Sequence, residues 1–260
     1  MIVALLTDFG TRDHFVASVK GTILSIVPAA TIVDISHEIE PHNIAEAAFT
    51  LGGCYRDFPK GTIFLAVVDP GVGSSRRAVA VRAAERLFVV PDNGILSFVL
   101  DDTDGRYAAN ELTNSEFLGK TISTTFHGRD VFAHVAGQLA NGIEPASFGP
   151  SVSDLIIFKN RTPERAGNLV SGEIIHIDRF GNLITNLGRG DLADGFSIEV
   201  NGRAVNRLLT FYAEADAGEL FAIVGSTGRI EIAVNGDSAK AVTKASVGAV
   251  ITVTAPTREN

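Results

Sequence analysis

Residues 62–77 read "TIFLAVVDPGVGSSRR". From Ile63 to Val68 every side chain is apolar, with no polar residue at alternate positions. A strand that is wet on one face alternates, whereas an unbroken apolar run suits a strand covered on both faces, as in a parallel sheet flanked by helices. The run stops at Asp69, the chain breaks at Pro70, Gly71 and Gly73, and Arg76 and Arg77 follow. A glycine-rich loop after a strand suggests a phosphate cradle, yet this one lacks the parts. No G-x-x-x-x-G-K-[ST] string occurs, and Arg76 stands where a dinucleotide fingerprint needs its third glycine. What remains is a carboxylate at a strand tip and a guanidinium seven residues on. Ligands of open α/β sheets lie beyond the carboxyl ends of the strands, so Asp69 stands where chemistry is usually placed. A turn closed by an Asp–Arg ion pair fits the same spacing.

Outward from this strand the first part of the chain alternates strand-like and helix-like segments. "IVALL" (Ile2–Leu6) and "TIVDIS" read as strands. Between them Phe15, Val16, Val19, Ile23 and Ile26 recur at helical spacing until Pro28 stops the pattern. "NIAEAAFTLGGCYRDF" reads as a second helix, "AVAVRA" and "RLFVVPD" as further strands, and "GRDVFAHVAGQLANG" as a helix closed by Gly142. The rhythm predicts a mostly parallel sheet with helices on its faces, over residues 1–155. From about Leu169 short strand-like runs take over, punctuated by Gly and Asn: "GEIIHIDRFGNLITNL", "FSIEVNG", "LFAIVG", "RIEIAVNG" and "AVITVT". They predict a smaller, barrel-like or sandwich β domain over 168–260, after a polar linker at 156–167.

With 260 residues, 45% hydrophobic and 20% charged, the composition is that of a soluble globular protein. A net charge of −8 argues against nucleic-acid or anionic-membrane partners. Cys54 is the only cysteine, so no internal disulfide forms and a reducing, cytoplasmic setting is expected. The apolar start is cut by Thr7 and Asp8, unlike a signal peptide, and no run reaches the roughly 18 apolar residues of a membrane span.

Other candidates carry bland alternatives. Asp8, at the tip of the first strand, suits a ribose diol, but it could cap the next helix, as could Thr11 or Asp13. The D-F-G string there lacks the upstream glycine loop and lysine of a kinase. His127 lies in a polar turn before a helix. Asp130 belongs to the first turn of that helix and could pair with His134 four residues on. His37, Glu38 and His42 fit no metal-ligand spacing, and Pro41 interrupts them. "VVPDNG" reads as a turn into a helix beside the crevice. In the second half a Gly turn joins Asp178 to Asn182, whose amide matches an adenine edge, and Ser226 sits at a hairpin turn.

Taken in order, "TDFG", "VVDPGVGSSRR", "PDNG", "TFHGRDVFA", "IDRFGNLITN" and "EIAVNG" resemble one family along essentially the whole chain. It is the S-adenosyl-L-methionine (SAM) hydrolase (adenosine-forming) family, also called SAM hydroxide adenosyltransferases, relatives of the fluorinase and chlorinase enzymes. The resemblance implies an N-terminal α/β domain, a C-terminal β-barrel-like domain, and a homotrimer with sites between subunits. It implies catalysis by Asp69, Arg76 and His127, with Asp8 on the ribose hydroxyls. Asn182 would meet the adenine together with backbone near Glu231 and Val234. Asp178 would take the methionine ammonium, and Ser226 its carboxylate or the adenosine. Asp13, His14 and Phe15 fall on a ligand-contacting turn of the halogenating relatives. Those relatives keep a halide pocket in place of the Arg and His, so Arg76 and His127 imply water as nucleophile, with SAM as substrate and no cofactor. One departure is His134, where the family pattern has Pro. Rival readings are a halide-using adenosyl transferase, a metal-dependent phosphohydrolase using Asp8, Asp69, His127 and Asp130, and a non-catalytic module that binds adenosyl compounds.

Overall fold

A computed structural model of the chain describes residues 1–158 and 162–255. The chain divides into two units, Met1–Lys159 and Asn160–Asn260. In order, the first unit contains β1 (Ile2–Thr7), α1 (Phe15–Ile26), β2 (Thr31–Ser36), α2 (Ile44–Cys54), β3 (Ile63–Val67), β4 (Ala78–Ala83) and β5 (Arg86–Pro91). It continues with α3 (Ser97–Asp101), β6 (Ala108–Glu111), α4 (His134–Ala140) and β7 (Ser151–Val152). The strands form one sheet in the order β2-β1-β3-β5-β4-β6-β7.

Both faces of this sheet are covered, as the unbroken apolar runs require. Ala4, Leu6, Phe64, Ala66 and Val68 pack on one side with Ala47 and Leu51 of α2 and Val99 and Leu100 of α3. Val3, Leu5, Ile63, Leu65 and Val67 pack on the other with Val19 and Ile23 of α1 and Val135, Ala136 and Leu139 of α4. Alternate residues of one strand thus enter two different cores, which is the strand's period of two.

The three pairings from β2 to β5 are parallel, and those from β5 to β7 are antiparallel. The reversal comes from the β4–β5 hairpin, whose two loop residues, Ala84 and Glu85, both have positive φ. Such turns normally advertise themselves with Asn-Gly or Asp-Gly. Neither Thr11 nor Asp13 caps α1: its N-cap is His14, with no side-chain bond, and Thr11 instead donates to Glu38. Residues Gly128–Ala133 form a π-helical turn that runs into α4, with His134 in ordinary helical geometry at the junction.

The second unit contains β8 (Glu164–Ala166), β9 (Leu169–Ile177), β10 (Leu183–Gly188), β11 (Ser197–Val200), β12 (Arg203–Val205), β13 (Leu208–Leu209), β14 (Leu220–Val224), β15 (Arg229–Val234), the short helix α5 (Ala239–Thr243) and β16 (Val250–Thr254). They form one nine-stranded sheet, antiparallel apart from the β13–β14 pair. Val205, near one edge, shares a core with Ala222 and Ile232, near the other, so the sheet curls over its own apolar face. Within the stretch 156–167, expected as a linker, Ile156 and Phe158 hydrogen-bond to Asp92 and Ser97 of the first unit, and β8 pairs with β9. Residues 159–161 of that stretch lie outside the described residues. No helix among the described residues is long and apolar enough to cross a membrane.

Candidate active site

The chain leaves β1 to form β2 on one side and returns to place β3 on the other, so the strand order reverses between β1 and β3. Parallel sheets open a crevice at such a switch point, beyond the carboxyl ends of the strands. Thr7 and Val67 are register partners there, so Asp8 and Asp69 leave the sheet side by side. A cavity of about 300 Å³ lies at this point, with Asp8, Asp69 and His127 in its wall beside Phe9, Phe15 and Phe126.

Asp69 and Arg76 form a buried pair, their side chains 6% and 11% exposed. Arg76 Nε lies 2.9 Å from both carboxylate oxygens and Nη2 lies 2.5 Å from Oδ2. Nη2 also donates to His127 Nδ1 at 2.9 Å. The guanidinium, stacked on Phe132, therefore stands between Asp69 and His127 and holds both. Guanidinium has no acceptor, so Nδ1 must carry the lone pair and the imidazole proton sits on Nε2. Burial, then the Arg76 charge, holds the His127 pKa below its ordinary value. His127 is thus a neutral hydrogen-bond donor through Nε2.

The glycines of the 69–76 loop make this convergence possible. Gly73 has φ +76, and a Cβ there would lie 2.3 Å from the Thr124 carbonyl oxygen. The loop therefore lies directly on the segment that leads to His127, and only glycine permits the approach. Arg77 points elsewhere: it pairs with buried Asp92 and with Asp154. The "PDNG" turn lies outside the cavity wall and braces it from behind, Asn93 donating to the Val68 carbonyl next to Asp69. Asp130 hydrogen-bonds to Ser123 and Arg129, and acts on His134 only through its charge. Burial would raise its pKa, but Arg129 and then Ser123 hold it below the ordinary value. Among the described residues no three His, Cys, Asp or Glu side chains gather as a metal site. Asp8 accepts the His42 amide at 2.9 Å and does not cap α1. Of the 13–15 turn, Phe15 reaches the cavity wall, and His14 stacks on it at 4.8 Å.

In the second unit Asp178, Asn182, Ser226, Glu231 and Val234 all line a separate cavity of about 910 Å³. Asp178 Oδ1 accepts the amides of Phe180 and Asn182, while Oδ2 accepts Asn182 Nδ2 at 2.8 Å. A carboxylate only accepts, so the Asn182 nitrogen must face Asp178 and its carbonyl is left to meet a donor. Gly181, at φ +84, lets this turn close: a Cβ there would lie 2.0 Å from Ser238 Oγ. Burial and then Asp178 push the Glu231 carboxyl up, with Tyr212 opposing. Tyr212 also lines this cavity, 3.4 Å from Asn182 Nδ2, and its phenol is pushed up by burial, Glu231 and Asp178. Sequence reasoning missed Tyr212 and Phe180: each is an aromatic residue in a loop with no periodic pattern around it.

The chain matches the family models of the SAM hydroxide adenosyltransferase N-terminal domain over residues 3–149 and C-terminal domain over residues 172–252. It is 38% identical to a Thermus thermophilus protein named (R)-S-adenosyl-L-methionine hydrolase, covering 92% of this chain and 93% of that one. A fluorinase from an Actinoplanes species is more distant, at 32% identity over 74% of this chain and 73% of its own. Among solved structures, one described as an uncharacterized conserved protein from Thermotoga maritima superposes with a TM-score of 0.91. It is 35% identical and covers 98% of this chain and 100% of its own.

Proposed function

The chain belongs to the SAM hydroxide adenosyltransferase family, and we propose that it hydrolyses SAM to adenosine and L-methionine by in-line attack of water at the adenosyl 5′ carbon. The observation that carries this reading is the Asp69–Arg76–His127 assembly at the β1/β3 switch point. The leaving group departs a sulfonium as a neutral thioether, so it requires no general acid. The nucleophile is what needs help. Arg76 engages Asp69 Oδ1 only through its shared Nε–H, so this oxygen retains acceptor capacity for a water. Asp69 orients the water and takes its proton as the C5′–O bond forms and the C5′–S bond breaks. His127, neutral and protonated on Nε2, supplies a donor to the developing hydroxide, and Arg76 holds the two side chains in register. Hydroxide character meeting a sulfonium neutralises charge, which the phenylalanine-lined cavity favours over bulk water. The scheme uses no cofactor or metal.

Asp8 takes the ribose hydroxyls in this proposal. The Asn182 carbonyl accepts from the adenine amine, with backbone near Glu231 and Val234 completing that contact. Asp178 takes the methionine ammonium, and Ser226 its carboxylate or the adenosine. Glu231 and Asp178, two carboxylates facing one cavity, suit a cationic group. The assembly is a homotrimer in the cytoplasm, with sites shared between subunits; a monomer in sedimentation equilibrium would remove that part.

Incubating the purified protein with SAM and separating the products by chromatography tests the reaction. Adenosine is the expected product, unchanged when fluoride or chloride is added and when metals are chelated. A halogenated adenosine, or loss of activity on chelation, would replace this reading by one of its rivals.

A further inference from the structure

The stretch "SHEIEPH", residues 36–42, serves the turn that carries Asp8. Thr7 Oγ1, at the tip of β1, meets His37 Nδ1 at 2.8 Å, and both residues are buried. The His37 carbonyl accepts the Gly10 amide at 2.7 Å. Asp8 lies between these two anchors, and its own Oδ2 accepts the His42 amide at 2.9 Å. His42 offers that amide from a left-handed backbone at φ +68, which histidine tolerates better than most side chains. One loop thus fixes the residue before Asp8, a residue after it, and one oxygen of the carboxylate itself. On the far side of the ring, His37 Nε2 lies 3.1 Å from Asp34 Oδ1, while Lys20 pairs with the other oxygen, Oδ2, at 2.6 Å. An apolar side chain would fill this buried position without desolvating an imidazole, so packing alone does not account for a histidine here.

We propose that His37 is a positioning residue for ribose recognition: through Thr7 it aims the Asp8 carboxylate at the vicinal diol of a nucleoside. The inference rests on the reading of Asp8 as the ribose-binding group. Diol recognition is geometric, because both hydroxyls must meet acceptors whose directions are already set, and a loose carboxylate is hydrated instead.

The test compares adenosine with 2′-deoxyadenosine by titration calorimetry on the full chain. A hydrogen bond to a charged group is worth enough for wild type to prefer adenosine by about 10- to 100-fold. His37→Leu is expected to bring that preference close to unity while 2′-deoxyadenosine affinity holds. His37→Asn, whose amide can still meet Thr7, is expected to recover part of it. Thr7→Val, nearly isosteric, gives the same loss should His37→Leu fold poorly. General damage to the site would weaken both ligands together, so a wild-type preference in His37→Leu or in Thr7→Val overturns the proposal. Asp8→Asn separates the two layers. If it too keeps the preference, the ribose reading of Asp8 falls, and the proposal with it.

Discussion

Arg76 sets the protonation of His127 before any substrate arrives. Its Nη2 occupies Nδ1, and protonating that nitrogen would put two cations 2.9 Å apart in a half-buried place. Burial and the Arg76 charge therefore depress the His127 pKa. The unfolded imidazole takes up its proton near the ordinary value of about 6.5, before the folded one does. Its contribution to stability is complete above that pH and is lost as the pH falls toward the folded value. For turnover, the acid limb of kcat/KM is expected below about 6.5; a limb at or above that value in a pH–rate profile would contradict the neutral donor. The spacing of Asp69 and Arg76 was legible in the sequence. The bridge to His127 was not, because it spans 51 residues and depends on where two loops meet.

That meeting is a property of the 69–76 loop as an element, and Gly73 is its pivot. Gly61 also has positive φ, +80, but a Cβ there would meet nothing within 4 Å, so it makes a matched control. Left-handed backbone costs a non-glycine residue roughly 1–2 kcal/mol, so Gly61→Ala and Gly73→Ala should both melt earlier in thermal denaturation. Only Gly73→Ala must also push the loop off Thr124, and it alone is expected to lose turnover. Equal turnover in the two variants would show that the loop contact does not position Arg76. At this scale the apolar strands and amphipathic helices were readable from their periods. The direction of β4 was not, because Ala84-Glu85 turns the hairpin without the usual Asn-Gly or Asp-Gly signature. The π turn before α4 was also hidden, since it shifts the hydrogen bonds by one residue while leaving the apolar pattern helical.

For the molecule as a whole, the change from long apolar strands to short, Gly- and Asn-punctuated ones marked the passage from one unit to the other. Each unit gathers the candidate residues of its own half: Asp8, Asp69 and His127 in one cavity, with Arg76 bridging two of them, and Asp178, Asn182, Ser226, Glu231 and Val234 in another. Residues more than 50 positions apart in Asp178 and Val234 came to one wall because the curled sheet brings β9, β10 and β15 into register. The central claim is chemical: water oxygen becomes the 5′ hydroxyl of adenosine. Turnover of SAM in water enriched with heavy oxygen, followed by mass spectrometry of both products, tests it most directly. The label is expected in adenosine and absent from methionine. Unlabelled adenosine, or label carried by methionine, would contradict attack at the 5′ carbon.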